Sequence, residues 1–214
     1  MRRTILLLST MTAGLLLASG VAVAATEVVT KTFTNPNQID IVTSEINEEG
    51  QERAAEPYPS TIAVRGFKEG RIRDVNLKLI GLSHTWPDDV GVLLVGPRGQ
   101  KVLVMSDVGV DLDVSDILLT IDDEATASLP DSAQLTAGTF KPTQGTTGPA
   151  DDEGFAVPDN FPSPAPSGPY GTSLSVFDGT NPNGTWKLFV LDDSGFDAGS
   201  LGAWKLRIKA RVTD

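Results

Sequence analysis

Three stretches of this chain alternate apolar and polar side chains with a period of two. In "IRDVNLKLIGL" (72–82), Val75, Leu77 and Leu79 fall on one side, and Asn76 and Lys78 on the other. "TWKLFVLD" sets Trp186, Leu188 and Val190 against Lys187, and "LGAWKLRIKA" sets Trp204, Leu206 and Ile208 against Lys205, Arg207 and Lys209. Successive side chains of a strand point to opposite faces, so this pattern buries its apolar half only as β-structure. Short runs rich in valine and leucine at 61–66, 90–95, 101–106 and 117–122 add further strands. Beyond the first 24 residues, no segment keeps a 3.6-residue period over three turns. Gly-Pro-Arg-Gly (96–99), Asn-Pro-Asn-Gly (181–184) and Asp-Ser-Gly (193–195) supply the turns between runs. The pattern predicts a single all-β domain, a jelly-roll-like antiparallel β-sandwich.

The N-terminus reads differently. Arg2 and Arg3 precede an apolar run from Ile5 to Val23, and Ala22-Val23-Ala24 has the small-x-small form of a cleavage site. This predicts a secretory signal over 1–24, a short lead over 25–32 and the sandwich over 33–214. Removing 24 of 214 residues leaves 190, a length suited to one domain. The removed piece carries two arginines and no acid, so the formal charge of −11 becomes −13. Such a surface disfavours nucleic acid and anionic membranes, and it makes divalent cations plausible partners. The chain has no cysteine, which excludes disulfides and thiolate metal sites. No second apolar run reaches spanning length, so the expectation is a secreted or periplasmic protein with no membrane span after cleavage. Residues 123–171 are dense in Pro, Gly, Thr, Ser and Asp. A loop that long is uncommon in a compact domain, and Leu129, Leu135, Phe140, Phe155, Phe161 and Tyr170 predict that it wraps the sandwich.

Two candidates for chemistry follow from residue type. "GTSLS" (171–175) superficially resembles the surroundings of a subtilisin nucleophile, but a catalytic Ser173 needs a helix start to build an oxyanion hole. "LSVFDGTNPNG" reads instead as a short strand and a turn. His84, the only histidine, lies at a strand corner with Thr85 and Trp86, where it can tie backbone groups. No catalytic constellation surrounds it, so no catalytic residue is assigned. The acids are a better candidate. If the hairpin pairs Val95 with Lys101, Asp89 falls opposite Asp107, and like charges there repel. "DVGVDLDVSD" brings Asp111, Asp113 and Asp116 to the same end as Asp88. Calcium, which takes six to eight oxygen ligands, is the expected ion for Asp88, Asp89, Asp107, Asp111 and Asp113. Asp192, Asp193 and Asp197 form a second, lesser candidate. Neither segment has EF-hand spacing. The sequon Asn183-Gly-Thr185 sits inside a turn that already explains its Asn and Gly.

The stretches "HTWPDDVGVLLVGPRGQKVLVMSD" (84–107) and "NPNGTWKLFVLDDSGFDAGSLGAWKLRI" (181–208) resemble the P domain, or Homo B domain, of kexin- and furin-type proprotein convertases. The carrying residues are His84, Thr85 and Trp86 at the corner, Asn181, Gly184 and Trp186 at the penultimate strand, and Trp204 in the last. "FTNPNQIDI", "PYPSTIAVRG", "SLPDS" and "GPYGTSLSVF" are similar to the P-domain-like modules of bacterial secreted proteins, so the likeness runs from about Phe33 to Val212. The resemblance implies a jelly-roll without catalytic residues, acting in protein binding or stabilisation. It implies an extracellular protein partner, such as a subtilisin-like protease. A cryptic accessory of such a protease system and an adhesive or structural surface protein are the alternatives left open.

Overall fold

A computed structural model describes residues 25–41, 53–145 and 161–213. The expected signal segment and Phe155 lie outside the described residues. The first strands are β1 (Thr26–Asn35), β2 (Ile39–Ile41), β3 (Arg53–Ala54), β4 (Ser60–Val64) and β5 (Arg71–His84). A 3-10 turn, Pro87–Asp89, leads into β6 (Val90–Val95), β7 (Lys101–Ser106), β8 (Val114–Ile121), β9 (Gly138–Phe140) and β10 (Thr143–Gln144). A second 3-10 turn, Leu174–Phe177, precedes β11 (Gly184–Asp192) and β12 (Gly199–Thr213). They form two sheets. One has the order β1-β12-β5-β8-β9 with β2 also on β12; the other is β10-β7-β6-β11-β3 with β4 also on β11.

The all-β sandwich is the architecture expected from the period-two pattern, with one refinement. Two short edge pairings, β8 with β9 and β7 with β10, are parallel. Both edge strands come from the loop segment after residue 123, which lies along each sheet edge in the direction of its neighbour and covers groups left unpaired there.

The core sits where the alternation puts it. Trp204 and Leu206 of β12 lie beside their register partners Leu79 and Leu77 of β5, and with Ile208 they are fully buried, while Arg207 and Lys209 are exposed. Buried indoles need a partner for their N–H. Trp204 donates to Ser60 Oγ at 2.9 Å, and Trp186 donates to the Pro182 carbonyl at 2.9 Å. Trp186 also packs on Phe177 with ring centroids 4.7 Å apart. The turn before Trp186 is built by side chains: the Asn181 carboxamide oxygen accepts from the Asn183 amide at 2.9 Å. The Asn183 side chain brackets the Phe67 backbone, donating to its carbonyl at 2.6 Å and accepting from its amide at 3.1 Å. Gly184 has φ 137°, and a Cβ there would sit 2.5 Å from Pro97.

Alternation assigns only one face of β11 to the interior, yet Phe189 and Leu191 on its other face are buried too. They join Leu93, Val95 and Leu103 in a second apolar cluster on the outside of the sheet. Phe161, Ala165 and Tyr170 from the long loop cover it, with Tyr58 edge-on to Phe189 at 4.9 Å. The Tyr58 hydroxyl holds the cover down through the Pro162 carbonyl at 3.0 Å. Leu129 and Leu135 are buried as well, so the described parts of the loop wrap the sandwich. Phe161→Ala is therefore expected to lower stability by about 3–5 kcal/mol in urea unfolding. A loss within about 0.5 kcal/mol would mean that the cover is surface decoration.

Candidate metal centre

The acidic end is assembled by strand ends. β5 finishes at His84, the chain turns through Thr85 and Trp86, and Pro87 opens the 3-10 turn that carries Asp88 and Asp89. Proline suits this first position because its fixed φ and missing N–H cost nothing there. Asp192 closes β11 and pairs in register with Val90 of β6, which places it beside Asp89. The Asp193 amide donates to the Asp89 carbonyl at 2.9 Å. Carboxylate oxygens of Asp89, Asp192 and Asp193 all lie within 4.8 Å of one another. Asp197 anchors the following loop by accepting from the Thr85 hydroxyl at 2.7 Å.

These groups are withdrawn from water. Asp88, Asp89, Asp107 and Asp192 are between 1% and 5% exposed. Neither oxygen of Asp88 has a hydrogen-bond partner, and the same holds for Asp192 Oδ2. His84 Nε2 lies 3.3 Å from Asp192 Oδ2, an ion-pair distance outside hydrogen-bond geometry. Its Nδ1 lies 2.7 Å from the Trp86 carbonyl and 3.2 Å from the Trp86 amide. The imidazole thus ties the corner to the acidic end. Arg53, the register partner of Asp192 on β3, borders the centre from the other side.

Desolvation is the main cause of the perturbed acidities. Burial, then the charges of Asp192 and Asp197, pushes Asp89 from 3.8 up to about 8. Burial, then Asp107 and Asp131, pushes Asp88 up to about 7. Asp107 is raised by burial and by Asp131, with the Ser106 hydroxyl at 2.5 Å opposing. Such an arrangement has two ways to neutralise itself, protons or a cation. Three converging carboxylates with no sulfur ligand suit a hard oxygen-seeking ion.

The structure corrects the expected cross-strand pair. Val95 does pair with Lys101, but a bulge between Val92 and Leu93 shifts the register so that Val92 faces Met105. The last pair of this ladder is Val92 with Met105, and the strands end at Val90 and Ser106; Asp89 lies in the 3-10 turn, and Asp107 adopts φ 52°. The two acids are electrostatic neighbours, not a cross-strand pair. Asp111 is exposed and acts on Asp88 through space. Asp113 is exposed, with its carbonyl accepting from Gln134 at 2.8 Å, and Asp116 is exposed on β8 beside Gly81. The two acidic stretches meet through Asp89, whose closest company is Asp192 and Asp193. Asp131 was invisible to spacing: it lies far along the chain in a loop whose sequence only reads as a turn.

Ser173 caps the second 3-10 turn, where a strand had been expected. Its hydroxyl is 2.6 Å from both Asp123 and Ser175, and Asp123 also accepts the Leu174 and Ser175 amides at 2.9 and 2.8 Å. An aspartate, not an imidazole, holds this serine. His84 makes its own contacts to Trp86 and Asp192.

The fold and its site define a two-sheet β-sandwich with a carboxylate-rich end. No family model matches the chain, and no curated protein matches it. Among solved structures it is similar to a serine protease of Aeromonas sobria, at TM-score 0.39 and 14% identity over 90% of this chain and 28% of that one. It is also similar to the complex of that serine protease with its chaperone, at TM-score 0.38 and 15% identity over 88% and 27%. The chain therefore spans little more than a quarter of either chain. No helix among the described residues is long and apolar enough to cross a membrane.

The raised acidities fix a pH dependence. In the folded chain Asp88 and Asp89 keep protons up to about pH 7 and 8, whereas unfolding returns both toward 3.8. The folded state binds more protons across that window, so without a cation stability is full below about pH 4 and declines as pH rises. Thermal melting in chelator is expected to show a midpoint that falls from about pH 5 to about pH 8, with Asp89→Asn flattening the slope. A midpoint that climbs over the same range would contradict these assignments.

Proposed function

We propose that this chain is a secreted, non-catalytic β-sandwich module of the P-domain type that binds calcium through Asp89, Asp192 and Asp193. Its role is to bind or stabilise an extracellular protein partner of the subtilisin-like protease class. The observation that carries the ion is Asp192: it is 1% exposed, its Oδ2 has no hydrogen-bond partner, and two further carboxylates converge on it. His84 Nε2 lies 3.3 Å from that oxygen without a hydrogen bond, so a desolvated carboxylate there remains costly, whereas ligation to a cation satisfies it. Asp89 and Asp192 are the rigid ligands, one on the turn entering β6 and one at the end of β11, and Asp193 brings the hairpin loop. His84 orients the Asp192 carboxylate from behind, as groups flanking metal ligands do. The partner class rests on the motif resemblance. The non-catalytic reading is supported by the separate engagements of Ser173 and His84.

Calcium at 100 times its Kd is expected to add about 2.7 kcal/mol of stability, read as a higher melting midpoint than in chelator. Asp193→Asn, a partly exposed ligand, should fold and lose most of that gain. An unchanged midpoint at millimolar calcium rejects the ion. A serine-hydrolase probe that labels Ser173 rejects the non-catalytic reading. Co-elution with a purified subtilisin-like protease tests the partner, and separate elution in both calcium and chelator rejects that class.

A further inference from the structure

The edges of the two sheets are not alike. β3, β9 and β10 are only two or three residues long. Asp40 of β2 exchanges backbone hydrogen bonds with Glu56 at 2.8 and 2.9 Å. β4 meets β1 at the corner between the sheets, where the Asn35 carboxamide donates to Ser60 Oγ and to the Thr61 carbonyl, both at 3.0 Å. β1 itself is the exception. It has ten residues, ends its sheet, and pairs with β12 without a bulge from Thr26↔Thr213 to Asn35↔Trp204. Among the described residues its other edge makes no backbone hydrogen bond. Residues 26–32 hold five β-branched side chains and neither proline nor glycine, and Val28 is 54% exposed. A long regular edge of this composition is a template for another strand. A lysine often blunts such an edge, but Lys31 is drawn aside: its ammonium donates to the Gly66 carbonyl at 2.6 Å and lies 5.3 Å from the centre of the Phe67 ring.

We propose that β1 pairs antiparallel with β1 of a second copy about a two-fold axis at Val29, which joins the two sheets into one. The charges of the strand select both this occupant and the register. Glu27 and Lys31 are the only charged residues of β1, and they stand two positions to either side of Val29. Pairing centred on Val29 sets Glu27 of each copy opposite Lys31 of the other, giving two opposite-charge cross-strand pairs. Thr26 then meets Thr32, Val28 meets Thr30, and Val29 meets its twin. Centring on Glu27 or on Lys31 opposes like charges instead. Within one chain the two residues are about 13 Å apart along the extended strand, too far to pair with each other. Among the described residues neither belongs to an ion pair. An ammonium has three donors, so Lys31 can keep Gly66 and still meet a carboxylate. Val29, half-buried against the core, gains cover from its twin. The overlap stops at Thr32, short of the corner that Asn35 closes onto β4. Such a two-fold contact is self-complementary and closes at two copies. It depends on neither the calcium nor the protease reading.

Sedimentation of the folded chain at micromolar concentration is expected to give the mass of two copies. Glu27→Lys and Lys31→Glu each put like charges into both cross-strand pairs, and each should weaken dimerisation by roughly tenfold or more. Combining the two substitutions restores opposite charges and should return the dimer. The register has its own probe, because the chain has no cysteine. Val29→Cys places one thiol of each copy at the axis, and mild oxidation should link the copies through it. Thr26→Cys, about 20 Å from its twin in this register, should stay unlinked under the same treatment. Single chains throughout the micromolar range overturn the pairing, whichever other strand the edge accepts. A dimer that survives both single reversals, that the combined variant fails to restore, or that Thr26→Cys links in place of Val29→Cys overturns this interface.

Discussion

The pairing of β6 with β11 is the constraint from which the rest of the molecule follows. All six residues of β6 are buried, and β11 is buried from Leu188 to Asp192. A strand covered on both faces has no place for a polar side chain along its length, so charge must collect where the ladder stops. Six register pairs run from Lys187↔Val95 to Asp192↔Val90. The last of them delivers one aspartate directly and the Pro87–Asp89 turn beside it. The acidic end is thus the polar terminus of an otherwise apolar ribbon, and its carboxylates are desolvated because the strands beneath them are.

That ribbon also explains the loop. An antiparallel sandwich can leave its outer faces in water when those faces are polar. Here Leu93, Phe189 and Leu191 make the outer face apolar, and Phe161 and Tyr170 close it. The Pro- and Gly-rich composition that makes the segment look structureless is what lets it follow a sheet surface without regular hydrogen bonding. Its short pieces β9 and β10 pair only where they cross an edge.

The fold was legible because β5 and β12 each bury one face more deeply than the other, and period-two alternation reports that directly. β11 was read on one face only, since Lys187 sets an alternation that Phe189 and Leu191 then break; single-strand patterning cannot say that a distant loop supplies cover. The candidate site was half legible. Asp88, Asp89, Asp107 and Asp192 could be named from residue type, but their grouping depends on which strands are neighbours. β6 and β11 are about ninety residues apart in sequence and adjacent in the sheet, so Asp89 joins Asp192 and Asp193. A bulge of one residue, which no local pattern announces, undid the expected Asp89–Asp107 pairing. Asp131 left no signal because a lone aspartate after Leu-Pro is an ordinary turn residue.

His84 illustrates how far a rare residue can mislead. A sole histidine near serines and aspartates invites a catalytic reading, yet its position follows from packing. Gly199 pairs with it in β12, and a Cβ there would collide with the imidazole at 2.5 Å, so the ring occupies space that a missing side chain provides. From that slot it reaches the Trp86 backbone on one side and Asp192 on the other. The acids therefore meet a fixed neighbour rather than a mobile base. Protons are one way to neutralise these buried oxygens, and under the proposed calcium reading a divalent ion would compete with them. The two influences must oppose each other in pH, because ligation requires the deprotonated carboxylates that burial alone disfavours. The stability of this end consequently depends on pH, in a chain with no cysteine to lock it covalently.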